Sequence, residues 1–148
     1  MLNLGSTYLI ARDMKVSIEF YTKLLECEPK SKNINRWAEF HGPNYCIALF
    51  NPRFDIEEMK SGRSIVGKYN TSYLEYKKIP VRYGNNMVLN FWVEDLDYEY
   101  QRIIDLNIGK VSEILFINVV APYYCFILND PDENTIEITG KYSKEIDA

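Results

Sequence analysis

Asn129-Asp130-Pro131-Asp132-Glu133-Asn134-Thr135-Ile136-Glu137-Ile138-Thr139-Gly140 reads as a tight turn that delivers a strand. Asp, Pro and Asn supply the turn, each through its own backbone preference. Side chains alternate along a strand, so Ile136 and Ile138 share one face while Thr135, Glu137 and Thr139 share the other. The isoleucines require a covering layer. The carboxylate opposite them costs free energy unless its face is wet, paired or lined by a ligand. An open antiparallel sheet with one solvated face accounts for Glu137 without any role; a ligand-lined face gives it one.

Working outward, the chain contains the same sequence of elements twice. Leu4 to Ala11 reads as a strand, with Leu9 and Ala11 on one face and Ser6, Tyr8 and Ile10 on the other. Asp13 then offers an N-cap. From Met14 to Leu25, Val16, Phe20, Tyr21, Leu24 and Leu25 recur at helical spacing. Two strands follow, Asn35 to Phe40 and Tyr45 to Phe50, joined by His41-Gly42-Pro43-Asn44. In the second half Met87 to Val93 is a strand, Asp95 caps a helix through Leu96, Tyr100, Ile103 and Ile104, and Gly109 is the expected stop. Lys110 to Val119, Tyr123 to Leu128 and Thr135 to Thr139 then read as strands. The local echo is Ala11-Arg12-Asp13-Met14 against Val93-Glu94-Asp95-Leu96, and two copies of one supersecondary unit make an internal repeat.

Two motifs give this repeat a family character. Ala11-x-Asp13-Met14-x-x-Ser17-x-x-Phe20-Tyr21-x-x-Leu24-Leu25 stands in the first half, and Asp130-Pro131-Asp132-x-Asn134-x-Ile136-Glu137-Ile138 near the end. In this order the chain resembles the vicinal oxygen chelate superfamily, which groups glyoxalase I, bleomycin-resistance proteins and extradiol dioxygenases. The resemblance implies an α+β fold: two βαβββ modules whose curled mixed sheets surround a shared cavity, with helices outside, often within a dimer. The chain is accordingly expected to be a single domain over 1–148, with module one at 1–50, an inserted link at 51–86 and module two at 87–148.

Metal-dependent members of that superfamily hold a divalent ion with His and acidic side chains from the first and last strands of each module. At the corresponding positions here stand Ser6, Ala48, Val88 and Glu137, and Glu137 alone matches. Catalytic ions such as zinc need about three N or O protein ligands, which this set does not supply. No metal and no cofactor is therefore expected. His41, the sole histidine, is assigned by the resemblance to a hairpin tip away from the cavity. What remains is a concave face on which alternation places Ser6, Tyr8, Trp37, Glu39, Cys46, Ala48, Phe50, Asn90, Trp92 and Glu137. Of these, Tyr8, Trp37, Glu39, Ala48, Phe50, Asn90, Trp92 and Glu137 are the expected ligand contacts, since aromatic walls with a few polar groups suit a small molecule. The two tryptophans serve equally well as filler in a curled sheet. The opposite, helix-facing set is Leu9, Ala38, Phe40, Ile47, Leu49, Phe91, Val93 and Ile138.

Composition narrows the function classes. A net charge of -4 argues against a nucleic-acid partner, and no apolar run has the length of a membrane span. The N-terminus carries no signal-peptide pattern, so a cytoplasmic location is expected. Cys27, Cys46 and Cys125 form no Cys-x-x-Cys pair and suggest no disulfide framework. No glycine-rich phosphate loop and no Ser or Cys nucleophile with a nearby histidine base is read from the sequence. The link 51–86 carries seven basic against four acidic side chains, with Tyr69, Tyr73, Tyr76 and Tyr83 interleaved; Asp55 to Glu58 followed by Gly62 suggests a capped helical turn. A lid, a dimer arm and a solvated linker all fit it. The expected function is binding of a small organic molecule by a homodimer, for sequestration, resistance or sensing. The alternative is a lyase, isomerase or dioxygenase of the same superfamily that uses Glu137 as a base or a metal ligand. For ligand charge, the carboxylates of Glu39 and Glu137 favour a neutral or cationic molecule, while the basic link favours an anion.

Overall fold

The computed structural model describes residues 1–63, 67–84 and 86–144; residues 64–66 and 85 of the link, and 145–148, lie outside that description. The chain divides into two compact units, Met1–Tyr83 and Gly84–Ala148. In the first unit, strand β1 (Thr7–Ile10) leads to helix α1 (Met14–Leu25), then β2 (Ser31–Asn33), β3 (Trp37–His41), β4 (Cys46–Phe50) and the helices α2 (Pro52–Lys60) and α3 (Thr71–Tyr76). The second unit runs β5 (Val88–Val93), α4 (Leu96–Leu106), β6 (Leu115–Asn118), β7 (Pro122–Asn129) and β8 (Thr135–Gly140).

Each unit contains a four-stranded mixed sheet, ordered β1-β4-β3-β2 in the first and β5-β8-β7-β6 in the second. The repeat read from the sequence is therefore a repeat of topology. In both, the opening strand lies parallel beside the closing strand, with Tyr8 opposite Ala48 and Asn90 opposite Glu137. The remaining pairs are antiparallel. This is the α+β architecture of two βαβββ modules, with open rather than closed sheets.

Helices α1 and α4 begin where their caps dictate. Asp13 accepts from the backbone N–H of Val16 and Asp95 from that of Tyr98, which satisfies amides that a helix start leaves without partners. Helix α1 buries Met14, Ser17, Phe20, Tyr21 and Leu24, and the Tyr21 ring meets that of Phe40 at 6.2 Å. Ala38, Phe40, Ile47 and Leu49 are all buried beneath it. In the second unit Leu96 and Ile103 are fully buried, and Tyr100 of α4 meets Phe126 edge-on at 5.1 Å. Each buried Leu, Ile, Phe or Met among these contributes about 1.5–3 kcal/mol by leaving water.

The strand expected over Lys110 to Val119 shortens to β6, with Val111 joined to Leu128 only by an isolated bridge. The stop for α4 is Asn107, in the left-handed region at φ 48, and not Gly109; asparagine tolerates that conformation because its short amide bonds locally. Strand β2 pairs with β3 through Ser31–Glu39 and Asn33–Trp37, although Ser31-Lys32-Asn33 carries no apolar alternation that could announce an edge strand. Gly140 has a tertiary reason to be glycine. A Cβ there would lie 2.4 Å from the Val93 carbonyl oxygen across the parallel pair.

The stretch 51–83 belongs to the first unit. Helix α2 starts before Asp55: Asn51 is its N-cap, accepting from the Arg53 amide, and Pro52 occupies the first turn, the position proline favours. Asp55 is thereby turned inward and is fully buried. Arg36 grips it with Nε at 2.7 Å and Nη2 at 3.1 Å. Tyr69 and Tyr73 donate their hydroxyls to its two oxygens at 2.8 and 2.5 Å, with their rings stacked at 5.4 Å. Burial alone would raise the Asp55 pKa, yet these donors hold it below the ordinary carboxylate value. Tyr73 is pushed up to about 12, by burial first and then by its bond to Asp55.

Candidate functional site

The face of the first sheet away from α1 carries Tyr8 and Ile10 from β1, Cys46, Ala48 and Phe50 from β4, and Trp37, Glu39 and His41 from β3, as the register requires. The rings of Tyr8 and Trp37 approach to 5.2 Å, and Tyr8 meets Phe50 edge-on at 6.1 Å. Tyr8 and Trp37 come from strands on either side of β4, so their rings converge over its central residue. Ala48, fully buried, is small enough to permit this. Tyr8 is 53% exposed, whereas Phe50 is buried.

The link supplies part of the cover over Phe50. The Lys77 Nζ, just past α3, stands 4.3 Å from the centre of its ring, and the Arg36 guanidinium carbon 5.0 Å. A cation over an aromatic face is attracted by the ring quadrupole. Burial lowers the Lys77 pKa. Part of the basic, tyrosine-rich stretch thus lies on the expected ligand face of its own unit.

Glu39 is held at both oxygens. The Trp37 indole donates to Oε1 at 2.9 Å and His41 Nε2 lies 2.9 Å from Oε2. The bonds to His41 and Trp37 lower its pKa. Here the expectation for His41 is corrected. It is the last residue of β3 and lies directly opposite Cys46, on the same face as Glu39, with Nε2 3.6 Å from the Cys46 sulfur. The signal was present in the sequence. Glu39-x-His41 has the i, i+2 spacing of one strand face, and the four residues 42–45 form the turn that brings Cys46 back opposite His41.

In the second unit the corresponding face carries Val88, Asn90 and Trp92 from β5 beside Thr135, Glu137 and Thr139 from β8. Asn90 donates from Nδ2 to Glu137 Oε1 at 2.8 Å and to Thr139 Oγ1 at 2.9 Å. Thr139 in turn donates to Glu137 Oε1 at 3.3 Å. Glu137 thus has neutral partners and, among the described residues, no ion pair. Trp92 stands 76% exposed.

The sequence-predicted residues therefore fall into two groups. Tyr8, Trp37, Glu39, Ala48 and Phe50 gather on the first sheet, and Asn90, Trp92 and Glu137 on the second. An open groove of about 1040 Å³ lies elsewhere in the first unit, lined by Arg36, Phe54, Glu58, Arg63, Lys68 and Tyr73 among others. Its cations are already engaged: Arg36 with Asp55, and Arg63 and Lys68 with Glu58. We give it no role.

The sequence model of the Glyoxalase/Bleomycin resistance protein/Dioxygenase superfamily matches residues 3–138. The chain belongs to this superfamily. None of the curated proteins compared matches it. Among solved structures it is similar to a lactoylglutathione lyase from Agrobacterium tumefaciens, at 21% identity and a TM-score of 0.62, covering 93% of this chain and 92% of that one. It is also similar to a glyoxalase/bleomycin resistance protein/dioxygenase from Nocardioides, at 15% identity and a TM-score of 0.64, covering 100% and 89%. A glyoxalase/bleomycin resistance protein from Albidiferax ferrireducens T118 matches at 19% identity and a TM-score of 0.60, over 93% and 98%. Identities this low establish the fold alone.

The superfamily's divalent ion does not fit the residues at its usual position. Ala48 and Val88 have no donor atom and Ser6 offers a neutral hydroxyl. Strand register sets Asn90, not Val88, beside Glu137, and that amide is already donating to the carboxylate. One carboxylate does not make a catalytic metal site, so no reaction step is derived through an ion there.

Proposed function

We propose that the protein binds a small, neutral or cationic aromatic molecule on the open faces of its sheets, as a cytoplasmic homodimer serving sequestration, resistance or sensing, with no metal in the binding. The observation that carries this reading is the pairing of exposed aromatic surface with the loss of ligand atoms. Tyr8, 53% exposed, lies opposite Ala48, and Trp92, 76% exposed, shares its strand face with Val88, two positions that carry no donor atom. An aromatic ring offered to solvent is a surface on which an aromatic molecule can stack. Glu137, with neutral partners only, supplies a negative charge that a cation can use. Among the described residues no helix is long and apolar enough to cross a membrane.

The chain has two tryptophans, Trp37 and Trp92, so intrinsic fluorescence reports on both faces. Titration with cationic, neutral and anionic aromatic compounds should give saturable quenching by the first two classes. A compound at about a hundred times its Kd should stabilise the fold by about 2.7 kcal/mol in a thermal-shift assay. Stabilisation by anionic compounds alone would overturn the charge assignment, and light scattering checks the dimer.

A second reading has one observation in its favour. Glu137 Oε2 makes no hydrogen bond among the described residues and is available to accept a proton. If Glu137 is a general base in a lyase or isomerase, Glu137→Gln abolishes turnover and leaves binding intact. Loss of binding alone favours the receptor.

A further inference from the structure

We propose that Glu39, His41 and Cys46 form a binding site for one borderline-soft divalent transition ion of the zinc class, built on the β3–β4 hairpin and distinct from the position that the superfamily's ion would use. One carboxylate oxygen, one imidazole nitrogen and one sulfur from these residues lie within 4.8 Å of one another. Two bonds to zinc, about 2.3 Å to sulfur and 2.0–2.1 Å to nitrogen, subtend an edge of about 3.6 Å at the tetrahedral angle. The Nε2 to Sγ separation is 3.6 Å. The corresponding nitrogen–oxygen edge is about 3.4 Å, against 2.9 Å observed between His41 Nε2 and Glu39 Oε2. That edge opens by a small side-chain rotation when the ion replaces the hydrogen between the two atoms.

The backbone holds the three residues ready. His41 and Cys46 are a directly opposed antiparallel pair, and Glu39 lies two residues back on the same strand. The turn between them is closed by the Gly42 N–H donating to the Tyr45 carbonyl at 3.0 Å. The Tyr45 ring packs on Gly42, its Cζ 2.1 Å from where a Cβ would stand. Outside the cluster, the Trp37 indole holds Glu39 Oε1 and leaves Oε2 for the ion. Such outer partners orient metal ligands and tune their affinity. Side-chain exposures of 36% for His41 and 30% for Glu39 give the ion a path in from solvent.

The donor set selects the ion. Thiolate and imidazole with one carboxylate suit zinc and cobalt(II) and disfavour calcium or magnesium, which take oxygen ligands. Binding releases the Cys46 thiol proton and turns the His41 Nε2 lone pair to the ion, with the imidazole proton on Nδ1. A fourth position remains for water.

The test uses the full chain, reduced and stripped of metal, titrated with Co2+ and then Zn2+. The expected result is a thiolate-to-cobalt charge-transfer band that saturates at one equivalent and is bleached by Zn2+. Cys46→Ser removes the band. His41→Ala and Glu39→Ala each remove a ligand and weaken Zn2+ binding by more than the roughly ten-fold that losing an outer partner costs, with circular dichroism confirming the fold. Cys27→Ser and Cys125→Ser leave the band in place. Absence of a band, its survival in Cys46→Ser, or its loss in Cys27→Ser overturns the assignment, and His41→Ala decides the matter should Cys46→Ser not fold. The result is independent of aromatic-ligand binding, which is read by tryptophan fluorescence without metal.

Discussion

The first sheet's open face is dressed by its own unit, with Lys77 and Arg36 over Phe50 and Trp37 and His41 on Glu39, while the second leaves Trp92 76% exposed and Glu137 with neutral partners. Both faces come from the same strand order and the same parallel pairing of first and last strands. The contrast shows that topology sets where a side chain can project, whereas inserted chain and local substitutions set whether it is available. The first face carries a clasp from its own unit's 51–83.

The clasp gives the largest effect by which the comparison can be broken. Asp55→Ala leaves Arg36 without its buried partner and should cost about 3–5 kcal/mol of unfolding free energy, seen as a lower midpoint in urea. The same group predicts a pH dependence. Since the folded-state pKa of Asp55 lies below its unfolded value, its stabilisation is complete above the ordinary carboxylate range and is lost as pH falls through the lowered value. Acid titration of unfolding free energy should therefore slope more steeply in the natural protein than in Asp55→Asn.

In the second unit, Gly140→Ala places a methyl against the Val93 carbonyl oxygen at 2.4 Å and should cost about 1–3 kcal/mol. Calorimetry on the whole chain checks it. Removing one clasp hydroxyl with Tyr73→Phe should cost about 1 kcal/mol, measured by urea denaturation against Asp55→Ala. The smallest stability effect sharpens the contrast most. Trp92→Phe, at an exposed site, should change stability by less than about 0.5 kcal/mol yet weaken binding of the aromatic compounds in a fluorescence competition assay. Equal loss from Lys77→Ala would place the ligand on the first face instead.

Much of the fold was legible because its determinants are local. Asp13 and Asp95 cap the helices that their positions announce. In the closing turn, Asp130 Oδ1 accepts from the Asp132 and Asn134 amides at 2.8 Å each, and because all three residues lie within one short motif, that motif reads as a turn in the bare sequence. Alternation placed Leu49 and Ile138 beneath helices and Trp37 and Glu137 on the open faces. Capping, turn chemistry and pleat are all written within a few residues of chain.

Partners distant in sequence were decided by tertiary structure. Nothing near Asp55 announces Arg36, 19 residues earlier, or Tyr73, 18 residues later, so a helix-cap reading won by default. Strand β2 exists because β3 offers it a ladder, and Gly140 is required only because the Val93 carbonyl crosses so close. His41 next to Cys46 depends on the hairpin register. The sequence alone determined the capped helices α1 and α4, the repeat and the missing ligand atoms at Ser6, Ala48 and Val88; the closing of long loops decided which polar groups meet, since those contacts carry no local signal.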